Sequence, residues 1–227
     1  SRRQRQMCIR DSSGVLRPTT RSTVLVHHPD DEHWFSDDRI LPGLTRSRIA
    51  GDDPHALQLV AEPGLPCGLA VVDAPDVDSV VEQNRELAAQ LLQAADLWLF
   101  VTSAARYADA VPWRHLSEAI GRRAAVAVVC NRIPAEAMEE VPRDLARMMS
   151  EKGLGDAALF TVPEGTTNAD GMLPTDTVQP IRSWLSGLAS DQSTRAAVVM
   201  QTLQGAIDNL VARTPQVSEA LGEQTLA

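Results

Sequence analysis

The sequence predicts an α/β fold in which a mostly parallel sheet carries helices on both faces. Three observations predict it. Apolar runs of strand length, such as Leu69-Ala-Val-Val72, Leu97-Trp-Leu-Phe-Val101 and Ala124-Ala-Val-Ala-Val-Val-Cys130, are continuous rather than alternating, as in strands covered on both faces. Stretches with helical spacing separate the later runs, and this alternation gives parallel strands joined by right-handed crossovers. The chain is 44% hydrophobic but only 4% aromatic, and small aliphatic side chains suit helix-on-sheet packing better than a β-sandwich.

Taken in order, Gly14-Val-Leu-Arg-Pro-Thr-Thr-Arg21 reads as a loop punctuated by Gly14 and Pro18. Ser22 to His28 is β-branched and reads as a strand. Pro29 to Pro54 is polar with scattered Trp34, Phe35, Ile40 and Leu44, and reads as irregular or partly helical. Leu57–Ala61 is a short strand and Gly68–Asp73 the next. Ser79 with Glu82 forms a capping box that opens a helix to about Ala95, with Val80, Leu87, Leu91 and Leu92 at helical spacing. Asp96–Thr102 is a strand. Pro112 opens a helix through about Arg122, and Ala124–Cys130 is a strand. Ala135–Lys152 reads as a helix closed by Gly153, with Pro142 predicting a kink or two segments. Ala158–Val162 is a strand, Asp176–Ala189 a helix, and Asp191 caps a further helix to about Ala212.

Length and charge bound the function. At 227 residues the chain suits one α/β domain with a helical appendage. A net charge of −9 argues against a nucleic-acid binder. The acidic clusters Asp30-Asp31-Glu32 and Asp37-Asp38 are most simply solvated surface. Cys8, Cys67 and Cys130 lack metal-ligand spacing and read as buried structural thiols in a reducing compartment. No apolar run approaches the roughly 20 residues of a membrane span, and no signal-peptide pattern is visible. The expected location is cytoplasmic.

Residues 1–12 read differently from the rest. Reverse-translated, Arg2 to Ser12 match a common transposase-based sequencing adapter codon by codon, so this stretch is expected to be an artefactual tail. Without its four arginines and one aspartate the net charge moves from −9 to −12. The expected organisation is then 1–12 as tail, 13–190 as the folded domain and 191–227 as the start of a C-terminal helical segment.

Asp73 is the most informative single residue. It closes a buried apolar strand, and the carboxyl ends of strands are where open α/β sheets bind ligands. On its own it also reads as a cap for the helix that follows. Around it, Leu16-Arg-Pro-Thr-Thr20, Asp73-Ala-Pro-Asp-Val-Asp-Ser79, Trp98-Leu-Phe-Val-Thr102, Ala104-Ala-Arg-Tyr-Ala-Asp-Ala-Val-Pro-Trp113 and Asn131-Arg-Ile-Pro134 occur in that order. Together these resemble the G-domain of P-loop GTPases of the dynamin-like and Era-like branch, most closely actinobacterial dynamin-family GTPase-domain proteins. The resemblance covers about Gly14 to Ala189.

The resemblance implies roles residue by residue. Thr20 matches the switch threonine that ligates Mg²⁺ and senses the γ-phosphate, with Thr19 beside it. Asp73 matches the metal-side aspartate. Asp76 stands where the Asp-x-x-Gly motif has its glycine, so an acid there faces phosphate charge. Asp78 reads as a cap. Asn131 and Arg132 match the Asn-Lys of the base-reading motif, and Arg132 can lay its stem against the base. Pro134 replaces the aspartate that reads guanine and has no acceptor to offer. The sequence contains no Gly-x-x-x-x-Gly-Lys-Ser/Thr, the loop whose amides and lysine cradle phosphates. The resemblance places that loop, a first strand and a first helix before the Thr20 loop. That first strand is central, between the Asp73 strand and the Asp96–Thr102 strand, so without it this chain is expected to bind nucleotide weakly and to be poorly stable.

The implied activity, for an intact parent, is hydrolysis of GTP·Mg²⁺ to GDP and phosphate. The implied partners are a guanine nucleotide, a second copy across the nucleotide face, and a membrane surface reached through C-terminal parts beyond this chain. A pseudo-GTPase scaffold and an ATP-binding transport or partition accessory protein are the alternatives. His27, His28, Asp30 and His33 form a weak metal candidate, because neighbouring strand residues face opposite ways and no distant residue completes the set in the sequence. No Gly-x-Ser-x-Gly elbow and no Cys–His nucleophile pattern is legible. Tyr107 and Trp113 read as core packing.

Overall fold

The computed structural model describes residues 23–49, 51, 53, 55–74, 82–121, 124–165, 167, 172–194, 196–205, 207, 208 and 211. The chain is an α/β protein. It divides into two compact units, Ser1–Ala95 with Gly165–Asp191, and Asp96–Glu164 with Gln192–Ala227.

The first unit is built on a four-stranded sheet of order β2-β3-β1-β4, comprising β1 (Thr23–His27), β2 (Thr45–Ser47), β3 (Ala56–Ala61) and β4 (Ala70–Asp73). β1 and β2 run parallel to β3, but β4 runs antiparallel to β1. The single, mostly parallel sheet expected from the sequence is thus replaced here by a mixed one. The connection explains the reversal. Residues 62–69 leave β3 at Ala61, which lies opposite His27, and enter β4 at Ala70, which also lies opposite His27. Both strand ends lie at the same end of the sheet, about 10 Å apart across β1, so eight residues bridge them, whereas a parallel return needs a crossover of a dozen or more.

The core of this unit gathers Leu25, Leu57 and Leu59 from the sheet, Leu41 and Leu44 from the segment before β2, and Leu87 and Leu91 from α2 (Glu82–Ala94). Leu25 and Leu57 are fully buried, each worth about 1.5–3 kcal/mol in water-to-core transfer. The Pro29–Pro54 stretch holds a 3₁₀ turn at Pro29–Asp31, a one-turn helix α1 (Glu32–Phe35) and β2. The strand β2 was not expected. Thr-Arg-Ser has no apolar period, and its place is fixed by Arg46, whose guanidinium donates to the carbonyls of Phe35, Ile40, Leu41 and Leu44. The helix cap expected at Ser79 lies outside the described residues. α5 (Thr175–Ser190) ends at Asp191, which is extended.

The second unit carries a wholly parallel sheet of order β5-β6-β7, with β5 (Leu97–Ser103), β6 (Ala125–Ile133) and β7 (Ala158–Pro163). Val126 through Cys130 are all buried whatever their parity, which requires cover on both faces of β6. α3 (Ala110–Gly121) buries Trp113, Leu116 and Ala119, and α4 (Glu140–Glu151) buries Leu145 and Met149. The two segments anticipated around Pro142 are a 3₁₀ turn, Ala135–Ala137, and α4. Gly153, at φ +83°, ends α4. Its N–H donates to the Ser150 carbonyl and that of Leu154 to Met149, the paired bonds of a left-handed helix stop. Beyond Asp191, residues 192–194 and 196–205 are helical, and the Thr202 hydroxyl donates to the Asp96 carbonyl at 2.9 Å.

Among the described residues no helix is long and apolar enough to cross a membrane.

Candidate functional site

Asp73 is the last residue of β4, half-buried. It stands opposite Val24 in the antiparallel register, so the chain enters β1 at the same end of the sheet at which it leaves β4. Ala74 follows and packs against the leucine cluster, which anchors the strand end. Thr19, Thr20, Asp76 and Asp78 lie outside the described residues.

Asn131 and Arg132 are at the carboxyl end of β6. Asn131 pairs with Ser103 of β5, and its carbonyl accepts from the Ala104 N–H at 3.0 Å. Arg132 adopts φ +52°, a left-handed conformation that non-glycine residues rarely hold. The cause is an irregularity of register between Cys130 and Ile133. It turns Arg132 out to solvent and returns Ile133 to the core, where it is fully buried. The Ile133 carbonyl then accepts from Glu164 N–H at 2.8 Å. Pro134 follows at φ −57°, heading the 3₁₀ turn. Strain of this kind collects at binding sites, where surrounding structure holds it in place. Asp73 belongs to the first unit and Asn131 with Arg132 to the second, so the residues the resemblance assigns to metal and to base lie in separate units.

A polar group flanks the same end of the second sheet. Trp113, buried, donates its indole N–H to the Tyr107 carbonyl at 2.9 Å, and the Tyr107 hydroxyl donates to Asp144 Oδ2 at 3.1 Å. Arg147 bonds Asp144 Oδ1 and Glu151 Oε1. The Arg147 guanidinium first, and then the Tyr107 hydroxyl, hold the Asp144 carboxyl below the usual carboxylate range. Desolvation, followed by Asp144, pushes the Tyr107 phenol up. The expectation of core packing holds for Trp113, with the Lys152 ammonium 5.3 Å from its ring.

The histidine-rich stretch is partitioned by the strand. His27 turns into the core, fully buried, 5.5 Å from the Phe35 ring, and its Nδ1 lies 2.7 Å from the His28 carbonyl. His33 Nδ1 is bonded to the Asp30 carbonyl instead. The four-residue cluster therefore does not form. A distant residue does join the remainder: Cys67 Sγ lies 3.0 Å from His28 Nδ1. Cys67 is exposed rather than a buried structural thiol, whereas Cys130 is buried as expected. Desolvation in the turn, and after it the charges of Asp31 and Asp30, hold the Cys67 thiol above its ordinary value. The sequence carried no spacing signal for this pairing, because 39 residues separate its members.

No protein-family model, curated protein or solved structure matches this chain.

Proposed function

We propose that this chain is the later part of a GTP-binding G-domain of the dynamin-like branch, with its phosphate loop supplied by sequence outside the chain. One observation carries the reading. β4, ending in Asp73, is an outer strand of the first sheet, and β5 is an outer strand of the second. A G-domain whose central first strand has been taken out has edges at these two strands. In the intact parent, Thr20 and Asp73 would hold Mg²⁺, which would supply positive charge against the transferred phosphoryl group. Asn131 and the strained Arg132 meet the base. A cation held by Asp73 would also offset the charge of an acid at Asp76 near phosphate.

Pro134 supports a second reading. It supplies no acceptor for guanine, which favours a nucleotide-independent scaffold or a domain that accepts ATP. Titration of fluorescent GTP and ATP analogues, with and without Mg²⁺, separates these. The chain alone is expected to bind neither tightly. The same chain extended with the upstream coding sequence of its gene is expected to bind GTP, with the Mg²⁺ dependence lost in Asp73→Ala. An extended protein that binds no nucleotide establishes the scaffold reading, and equal competition by ATP removes the assignment to guanine.

A further inference from the structure

The geometry points to a binding site for a thiophilic divalent cation of the Zn²⁺ class, formed by His28 Nδ1, the Asp30 carboxylate and Cys67 Sγ, with a fourth position left to water. This site is independent of the nucleotide reading. It lies at the His27–Ala70 end of the β1/β4 pair, whereas Asp73 lies opposite Val24 at the other end.

The three ligand atoms lie within 4.8 Å of one another. Cys67 Sγ is 3.0 Å from His28 Nδ1, which is 3.6 Å from Asp30 Oδ2. Ligand atoms bound tetrahedrally to zinc at about 2.0–2.3 Å stand about 3.2–3.8 Å apart. The His28–Asp30 pair already has that separation, and the Cys67–His28 pair needs to open by only a few tenths of an ångström. The Asp30 side chain is 82% exposed, so it is free to swing and close the third side.

The backbone fixes the two loops that carry these groups. The antiparallel register brings the exit of β1 beside the entry of β4. The Gly68 N–H donates to Asp31 Oδ2 at 2.7 Å, tying the Cys67 turn to the turn that holds Asp30. Gly68 adopts φ +80°, which glycine accepts without strain. Such supporting bonds hold ligands in place before the cation arrives.

The protonation pattern suits a cation as well. The Asp30 backbone N–H donates to His28 Nδ1 at 3.2 Å, so Nδ1 presents a lone pair. The Cys67 thiol shares that lone pair. On binding, the cation takes the Nδ1 lone pair and a carboxylate oxygen, and the thiol releases its proton to solvent; no electron transfer is involved. The Asp30 N–H, exposed, turns to water. The alternative use of a Cys–His contact is a nucleophilic thiolate, which requires electropositive surroundings. Here Asp30 and Asp31 supply the opposite field, which repels a free thiolate and attracts a cation.

The test uses the full chain without a polyhistidine tag, with Cys8 and Cys130 replaced by serine so that Cys67 is the only thiol. After chelator treatment it is titrated with Co²⁺ and, in competition, Zn²⁺. One equivalent of Co²⁺ is expected to give thiolate-to-metal charge-transfer absorption, displaced by Zn²⁺. Cys67→Ser is expected to abolish the band, and His28→Ala and Asp30→Asn each to weaken binding by about tenfold or more, with circular dichroism confirming that each variant is folded. Zn²⁺ is also expected to protect Cys67 from alkylation. The assignment is overturned by a band that survives Cys67→Ser, by no saturable binding below about 100 μM, or by fast alkylation at neutral pH that Zn²⁺ leaves unchanged.

Discussion

The Tyr107 hydroxyl donates to the Asp144 carboxylate at 3.1 Å, joining the loop after β5 to α4 across 37 residues of sequence. Arg147 and then Tyr107 keep the folded-state pKa of Asp144 depressed. A depressed carboxyl stabilises the fold above its unfolded value, about 3.9, and that contribution is lost as pH falls through the folded value. The melting temperature is therefore expected to fall more steeply below about pH 4 in the parent chain than in Asp144→Asn. Tyr107→Phe keeps the Arg147 contact and is expected to give an intermediate slope. Glu32 and Asp37 are depressed too, by Arg48 and by the Arg39 backbone N–H respectively, so the difference between variants is the quantity to read. Superimposable profiles would show that the pair carries no linkage.

Arg46 does in this fold what no apolar residue of its segment does. Its donors reach the carbonyls of Phe35, Ile40, Leu41 and Leu44, and these bonds hold the chain that delivers Leu41 and Leu44 to the core. Arg46→Met keeps the aliphatic stem and removes every donor. It is expected to lower stability by about 1–3 kcal/mol, since partly buried carbonyls lose charged partners. The exposed Arg48, bonded to Glu32, is the comparison, and Arg48→Met is expected to change stability by no more than about 1 kcal/mol. Chemical denaturation with an unchanged m-value measures both; equal effects would remove the special role of Arg46.

Arg46 also marks where the sequence stops being legible. β1, β5, β6 and β7 announce themselves because an apolar run long enough to be buried has few other uses. β2 does not, since Thr45–Ser47 is a strand only through β3 and the Arg46 bonds. The apolar run of β4 signals burial but not direction, and its antiparallel sense comes from the short 62–69 connection. Asp73 was legible as an acid that breaks such a run. The Cys67–His28 contact was not, because it exists only once the β1/β4 register is set. The left-handed Arg132 was equally hidden: the apolar run ends at Cys130, and the irregularity between Cys130 and Ile133 exists only in the pairing of β6 with β7.

Thr23, the first residue of β1, is fully buried, and among the described residues its hydroxyl has no hydrogen-bond partner. A buried hydroxyl without a partner costs about 1–3 kcal/mol. Thr23→Val has nearly the same shape and a strong strand preference. It is expected to raise the melting temperature, with a gain of up to about 1 kcal/mol. A loss greater than about 0.5 kcal/mol would mean that the hydroxyl is satisfied in solution.

Arg132 separates structure from function most directly. Holding an arginine at φ +52° costs about 1–2 kcal/mol relative to the right-handed region. Glycine removes that strain but adds about 0.5–1 kcal/mol of unfolded-state entropy, so Arg132→Gly is expected to leave stability within about 1 kcal/mol of the parent. Arg132→Val places a β-branched side chain in the same conformation and is expected to lose about 1–2 kcal/mol or more. If the side chain meets a base, as proposed, Arg132→Gly in the upstream-extended protein keeps its melting temperature while its affinity for GTP falls at least about tenfold, the loss of roughly 1.4 kcal/mol. A glycine variant that is as stable and binds GTP as tightly would reduce the left-handed turn to a device for returning Ile133 to the core.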